Sequence, residues 1–369
     1  MSKTFAFVGS LNRAMPDMPP AHGDGISVYS FDEASGALAL VKTFDGIDNP
    51  TFLAIDAEKR RLYASTEWAG RNEGLAVALA IDPETASLSH INMQPTLGSV
   101  TCHLSFDRDG AYLFASNYTV ADLGAKPGAA VAAYPLRADG SIAPPVASVA
   151  HEGADAVLPV ETRSHAHSAI VSPDNRYLMV CDLGLDRVMS YALPPEEGKL
   201  ALAPAPFVAL PAGSGPRHLT FHPNGRTAYV INELNNTMSV LGYDAETGGL
   251  TLEQTISTLP ADFSGTSYCA ELALSPDGRF LYGSNRGHHS LVRFVIDGEG
   301  RLSLPAWTST GGAWPRNFTF DPSGRFVLVA NQHGDNIVVF RYDPVTGALN
   351  DIGEAVQTGT PMRIVFGRF

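Results

Sequence analysis

A hairpin-sized pattern recurs along this 369-residue chain, and the recurrence limits the fold more than any other feature. In GPRHLTFHPNGRTAYVINEL (215–234), the runs Leu219 to Phe221 and Ala228 to Ile231 flank the turn-formers Pro223, Asn224 and Gly225, which reads as a β-hairpin. The pattern returns as PTFLAIDAEKRRLYASTE (50–67), CHLSFDRDGAYLFASNY (102–118), HAHSAIVSPDNRYLMVCDLG (165–184), CAELALSPDGRFLYGSNRG (269–287) and PRNFTFDPSGRFVLVANQH (315–333). Measured at the residue before each turn (Asp56, Asp107, Ser172, His222, Ser275, Asp321), the spacings are 51, 65, 50, 53 and 46. A unit of that length indicates a solenoid or a propeller, with four strands per unit in the second case.

A second motif counts the units independently. A turn ending in a small residue, one spacer and an aliphatic occurs at Gly36–Leu38, Ala86–Leu88, Gly140–Ile142, Gly198–Leu200, Gly248–Leu250, Gly300–Leu302 and Gly347–Leu349, which makes seven. Only six complete hairpins of the first kind exist. The termini supply the remaining one: TPMRIVF (360–366) matches a first strand and TFAFVGS (4–10) a second strand such as FLYGS (280–284). The expectation is an all-β, seven-bladed β-propeller with four-stranded antiparallel blades, its ring closed by pairing the N- and C-terminal strands. Closure removes the exposed edges that an open array would have to protect.

The repeats run from end to end without a linker, so residues 1–369 read as a single domain. With 44% apolar and 17% charged residues the chain can bury a large core. No apolar run reaches the eighteen or so residues of a membrane span. The N-terminal MSKTFAFVGS does not read as a secretion signal and is needed to close the ring. Three cysteines (Cys102, Cys181, Cys269) sit within expected strands at no metal-like spacing and read as reduced thiols, hence a cytoplasmic protein. A net charge of −13 argues against nucleic acid or an anionic membrane as partner.

Against that acidity the basic residues are placed selectively. His103, His167, Arg217 with His218, Arg316 and Arg363 stand at the starts of first strands, and Glu67, Glu233 and Arg286 at the ends of second strands. Antiparallel pairing brings all of these to one rim, although Arg217 and Glu233 are sixteen positions apart. In one isolated hairpin such a pair would be an exposed salt bridge of little consequence. Repeated around a ring, arginine and histidine make an anion site, since a guanidinium grips a carboxylate or phosphate through two hydrogen bonds. Strand alternation would turn His103, His218 and Glu271 toward a neighbouring blade instead, and Arg316 and Arg363 could equally serve as inter-blade ion pairs. His165 and His167 share a strand face, but no carboxylate or cysteine at supporting spacing accompanies them, so neither a metal nor a cofactor is expected. His222, His288 and His289 read as turn and loop residues.

These motifs carry a resemblance. HAH (165–167) with DLGLDRV (182–188), GPRHLTFHPNG (215–225) with NEL (232–234), AELALSPDGRFLYGSNRG (270–287) and PRNFTFDPSGRFVLVANQ (315–332) make the chain similar, over nearly its whole length, to the lactonase family of seven-bladed propellers. That family includes bacterial cytoplasmic 6-phosphogluconolactonases and fungal carboxymuconate cyclases. The cyclase branch is thought to use a histidine, two arginines and a glutamate. The resemblance therefore implies catalytic roles for His167, Arg217, Glu233 and Arg286, with His165, His218, His103, Arg316 and Arg363 as candidates for holding substrate. Two departures, NYTVADLGAKPGAAV (117–131) in the second unit and Ser164 before HAH, fall near the rim, where substrate choice is made.

Hydrolysing a sugar lactone requires a base for water, donors for the developing oxyanion and a grip on an anionic tail. His167 or Glu233 could be the base. His167 is favoured because an imidazole titrates near neutrality, whereas a glutamate between arginines becomes more acidic. The expected activity is hydrolysis of 6-phosphogluconolactone in the pentose phosphate pathway, by a monomer or weak homo-oligomer whose partner is a small anionic lactone. The alternatives are a carboxymuconate-type lactonising cycloisomerase, a hydrolase of an unphosphorylated sugar-acid lactone, and a non-catalytic binding propeller.

Overall fold

A computed structural model describes residues 3–15, 21–67, 73–118, 128–151, 163–196 and 198–369. The described residues form seven four-stranded antiparallel sheets. Blades 1 to 6 span 53–95, 101–149, 166–209, 216–257, 268–309 and 315–357; blade 7 joins Pro361–Arg368 to Thr4–Ser10, Ile26–Phe31 and Leu38–Phe44. The innermost strand of each blade touches that of the next, and Pro361–Arg368 touches Leu53–Asp56, so the circle closes. Phe7 pairs with Val28 on one side and Val365 on the other, which is the terminal closure expected from the sequence.

The apolar core lies between blades, in seven clusters that each straddle two neighbours. Phe5, Phe7 and Val28 of blade 7, for example, pack on Leu62, Val77 and Leu79 of blade 1. The small residue of the second motif belongs to this packing. Gly248 has φ +69°, and a Cβ there would lie 2.5 Å from the Tyr177 ring of the previous blade. Gly300 likewise receives the Tyr229 hydroxyl on its carbonyl at 2.9 Å. Each motif is therefore a joint between blades as well as a turn.

Two backbone devices recur at one end of the ring. Asn49, Val100, Gly215, Trp314 and Thr360, each just ahead of an innermost strand, all adopt positive φ between 41° and 65°. The first strands of blades 2 to 6 also carry an extra residue, with the register slipping between Thr101 and His103, Ala166 and Ser168, Pro216 and His218, Cys269 and Leu272, and Pro315 and Asn317. Such bulges re-aim side chains. Here the residues they span include His167, Arg217 and Arg316.

Candidate active site at the mouth of the central channel

The bulges change which side chains meet. Along a regular strand Arg217 and His218 would face opposite ways. With the extra residue both line the channel, together with Phe52, Glu271, Arg316 and Arg363. Alternation would have turned His218 and Glu271 to a neighbouring blade; the bulge is the reason it does not. His103 joins the same layer, its ring 4.4 Å from Phe52 and 5.4 Å from His218.

A second set of side chains comes from the residue after each second strand. Glu67, Tyr118, Leu183, Glu233, Gln332 and Leu11 all give their backbone N–H to the carbonyl at the corner ahead of the first strand, at 2.7–3.1 Å. Arg286 occupies the same place on blade 5. One shared backbone bond thus aims chemically different side chains at one mouth.

Glu233 lies between two guanidinium groups. Its Oε2 is 2.9 Å from Arg217 Nε, a charge contact without an aligned N–H, and its Oε1 is 2.8 Å from Arg286 Nη2. Arg217 Nη1 donates to the Ala270 carbonyl at 2.7 Å and lies 3.2 Å from His218 Nε2. Arg286 donates to the Cys269 carbonyl at 2.7 Å and lies over Trp314, 5.6 Å from the ring centroid. His218 Nδ1 is 2.8 Å from Glu271 Oε1, while Glu271 Oε2 receives Arg363 at 2.5 Å and Asn317 at 2.7 Å. Arg316 faces Glu67 at 3.4 Å, and the other Glu67 oxygen accepts from Thr51 at 2.5 Å. Arg316 and Arg363 are therefore both in ion pairs across blades.

The bonds assign the His218 tautomer. Nδ1 donates to a carboxylate and Nε2 accepts from a guanidinium, so the ring is neutral; burial lowers its pKa to about 4, against the pull of Glu271. Both nitrogens are engaged by protein. Burial, with Arg217, His218 and Arg316 nearby, also holds His167 well below 6.5. His103 is depressed by burial, His218 and Arg363. Burial alone would raise Glu233 and Glu271, but Arg286 and Arg217 bring Glu233 below its usual range, and His218 and Arg363 do the same for Glu271. Arg217, lowered by burial to about 10, stays charged at neutral pH.

His167 differs from His218 and the paired carboxylates: it is 5% exposed and its Nδ1, like that of His103, has no hydrogen-bond partner. His165 turns elsewhere, stacking on Tyr118 at 4.3 Å with Nδ1 2.7 Å from the Tyr118 carbonyl. Ser164 donates to the buried Asp182, which also takes the His165 N–H. Of the second-unit departure at 117–131, residues 119–127 lie outside the described residues.

A pH dependence follows with a definite sign. His103, His167 and His218 have folded pKa values below the unfolded value of 6.5. Their unfolded forms bind protons first on acidification, so stability is full above pH 6.5 and declines as pH falls toward about 4, the folded value of His218. Thermal melts should show a midpoint falling steadily across that window. A flat midpoint would contradict the buried neutral imidazoles.

Phe52 and Asn317 shape the site and were not singled out by sequence reasoning, which placed Glu67 on the rim without giving it a role. Phe52 and Asn317 carried no signal apart from the bulge register.

Comparison with known proteins agrees with this geometry. The Lactonase, 7-bladed beta-propeller family matches residues 5–366. The chain is 32% identical to the 6-phosphogluconolactonase of Bacillus subtilis, over 99% of both chains, and 35% identical to that of Formosa agariphila, over 94% of both. Among solved structures, the periplasmic gluconolactonase of Pseudomonas aeruginosa superposes with a TM-score of 0.89 at 37% identity, covering 99% of each chain. The chain belongs to the lactonase family of seven-bladed β-propellers.

Proposed function

We propose that this protein hydrolyses an anionic sugar lactone, 6-phosphoglucono-δ-lactone, to 6-phosphogluconate, as a step of the pentose phosphate pathway. The observation that carries this reading is the charge at the mouth. Among the described residues, Arg217, Arg286, Arg316 and Arg363 pair with Glu67, Glu233 and Glu271, and the imidazoles are neutral, so these groups carry one positive charge in excess within a chain of net charge −13. Arg217 and Arg286 share a single carboxylate, which places that excess beside Glu233.

In the reaction the unpartnered Nδ1 of His167 takes a proton from water as the hydroxide oxygen adds to the lactone carbonyl. The oxyanion is held by Arg217 and Arg286. The ring C–O bond then breaks, and the departing alkoxide takes the proton back from His167. Water is consumed and no other reactant is needed.

The test is the initial rate on freshly generated 6-phosphoglucono-δ-lactone beside glucono-δ-lactone, each corrected for spontaneous opening. A strong preference for the phosphorylated ring is expected. Equal rates would favour the second reading, an unphosphorylated lactone, toward which the gluconolactonase name of the Pseudomonas neighbour points. No turnover on any lactone, with a stable protein partner recovered, would favour a binding propeller. We further read the ring as one domain, a monomer or weak homo-oligomer, and the free, buried Cys102, Cys181 and Cys269 as supporting a cytoplasmic location, which subcellular fractionation tests.

A further inference from the structure

We propose that Gln332 is a substrate-positioning residue that reads a hydroxyl of the lactone beside Arg286. The inference rests on the lactonase reading and deepens it. Gln332 follows its second strand in the same register as Glu67 on blade 1, Glu233 on blade 4 and Arg286 on blade 5. Its backbone N–H bonds to the Trp314 carbonyl at 2.9 Å, and Trp314 is the ring over which Arg286 lies. The Gln332 backbone therefore stands beside the residue that packs on Arg286, at the cationic half of the mouth.

What separates Gln332 from its ring-mates is an unmet need. It is 2% exposed, yet its Oε1 has no hydrogen-bond partner. Both Glu233 oxygens meet guanidinium groups, and both Glu67 oxygens meet donors. A buried amide oxygen without a donor destabilises the free protein, and a ligand hydroxyl is the group that relieves it. The chemistry also fits the division of labour. Guanidinium groups serve an anion, whereas an amide both donates and accepts and so matches a neutral hydroxyl. A site built to bond a hydroxyl discriminates strongly against an analogue that lacks it, because its own polar group is then left unpaired.

The experiment compares wild type with Gln332→Met on glucono-δ-lactone, or its 6-phosphate if that is the better substrate, and on δ-valerolactone, a ring of the same size without hydroxyls. The variant should lose about 10- to 100-fold in kcat/KM on the sugar lactone and change little on δ-valerolactone. Its melting temperature should stay level or rise, since the unpaired amide is gone. A purely structural glutamine would move the other way, with a lower melting temperature and equal losses on both lactones, and that result overturns the proposal. Unchanged kinetics on both substrates overturns it too. If wild type is inert on both lactones, the lactonase reading falls and this inference with it; an active wild type with an unaffected variant defeats this inference alone.

Discussion

Replacing His167 by Asn should slow lactone hydrolysis by about 10²–10⁴-fold, the usual contribution of a well-placed general base, while the fold survives. The reason is availability. Of the two groups weighed as the base, Glu233 already has an arginine on each oxygen. His167 Nδ1 is unpartnered. The preference for His167 first rested on an imidazole titrating near neutrality, and the structure changes that ground: burial, Arg217, His218 and Arg316 push it well below 6.5. It is thus a weaker base than a free imidazole, but one wholly in its neutral, accepting form at pH 7. The sign of the pH profile follows. Activity is lost when the base is protonated, so the acid limb of kcat/KM should lie below pH 6.5 in wild type and disappear in His167→Asn, leaving a low, flat residual rate. Suppose instead that His167→Asn keeps its turnover, while Glu233→Gln folds normally and abolishes both the rate and the acid limb. Glu233 would then be the base.

The blade count and the ring closure were legible because their cause is local and repeated. Each Gly of the second motif has a positive φ, and all but Gly198 also face a close neighbour such as Tyr177 against Gly248, so the residue type reports the turn and mostly the contact. The closure was legible because Thr4–Ser10 has the residue pattern of the other second strands. The site was legible only as a rim. A bulge built from His167, Arg217 or Arg316 contains no glycine and leaves no mark in residue type, so strand alternation misplaced His218 and Glu271. The corners at Val100 and Trp314 hold positive φ without glycine and were equally silent. Which charges pair depends on which blades face each other across the channel. Arg316 of blade 6 meets Glu67 of blade 1, and Arg363 of blade 7 meets Glu271 of blade 5; neither follows from spacing along the chain.

Arg217→Met should have the other large effect, lowering kcat/KM by about 10²–10³-fold, as removal of one oxyanion donor does. Unlike the His167 change it should also destabilise the fold, by about 3–5 kcal/mol, the cost of breaking a buried ion pair from one side. The Arg217 side chain is only 3% exposed and serves three partners: Glu233, His218 Nε2 and the Ala270 carbonyl. Methionine of similar length fills the volume but leaves a carboxylate with one counter-charge, a ring nitrogen without its donor and a carbonyl unpaired. Glu233 should become easier to protonate, because the burial that raises its pKa is then opposed chiefly by Arg286. Arg217→Lys separates charge from geometry. An ammonium keeps the charge but cannot reach three partners from a rigid fork, so it should recover part of the stability and little of the rate. Had this arginine been a rim salt bridge, its loss would cost under about 1 kcal/mol and leave turnover intact. Denaturant melts and initial rates on the same two variants tell the two cases apart, and a small, purely structural loss in both would remove Arg217 from the catalytic assignment.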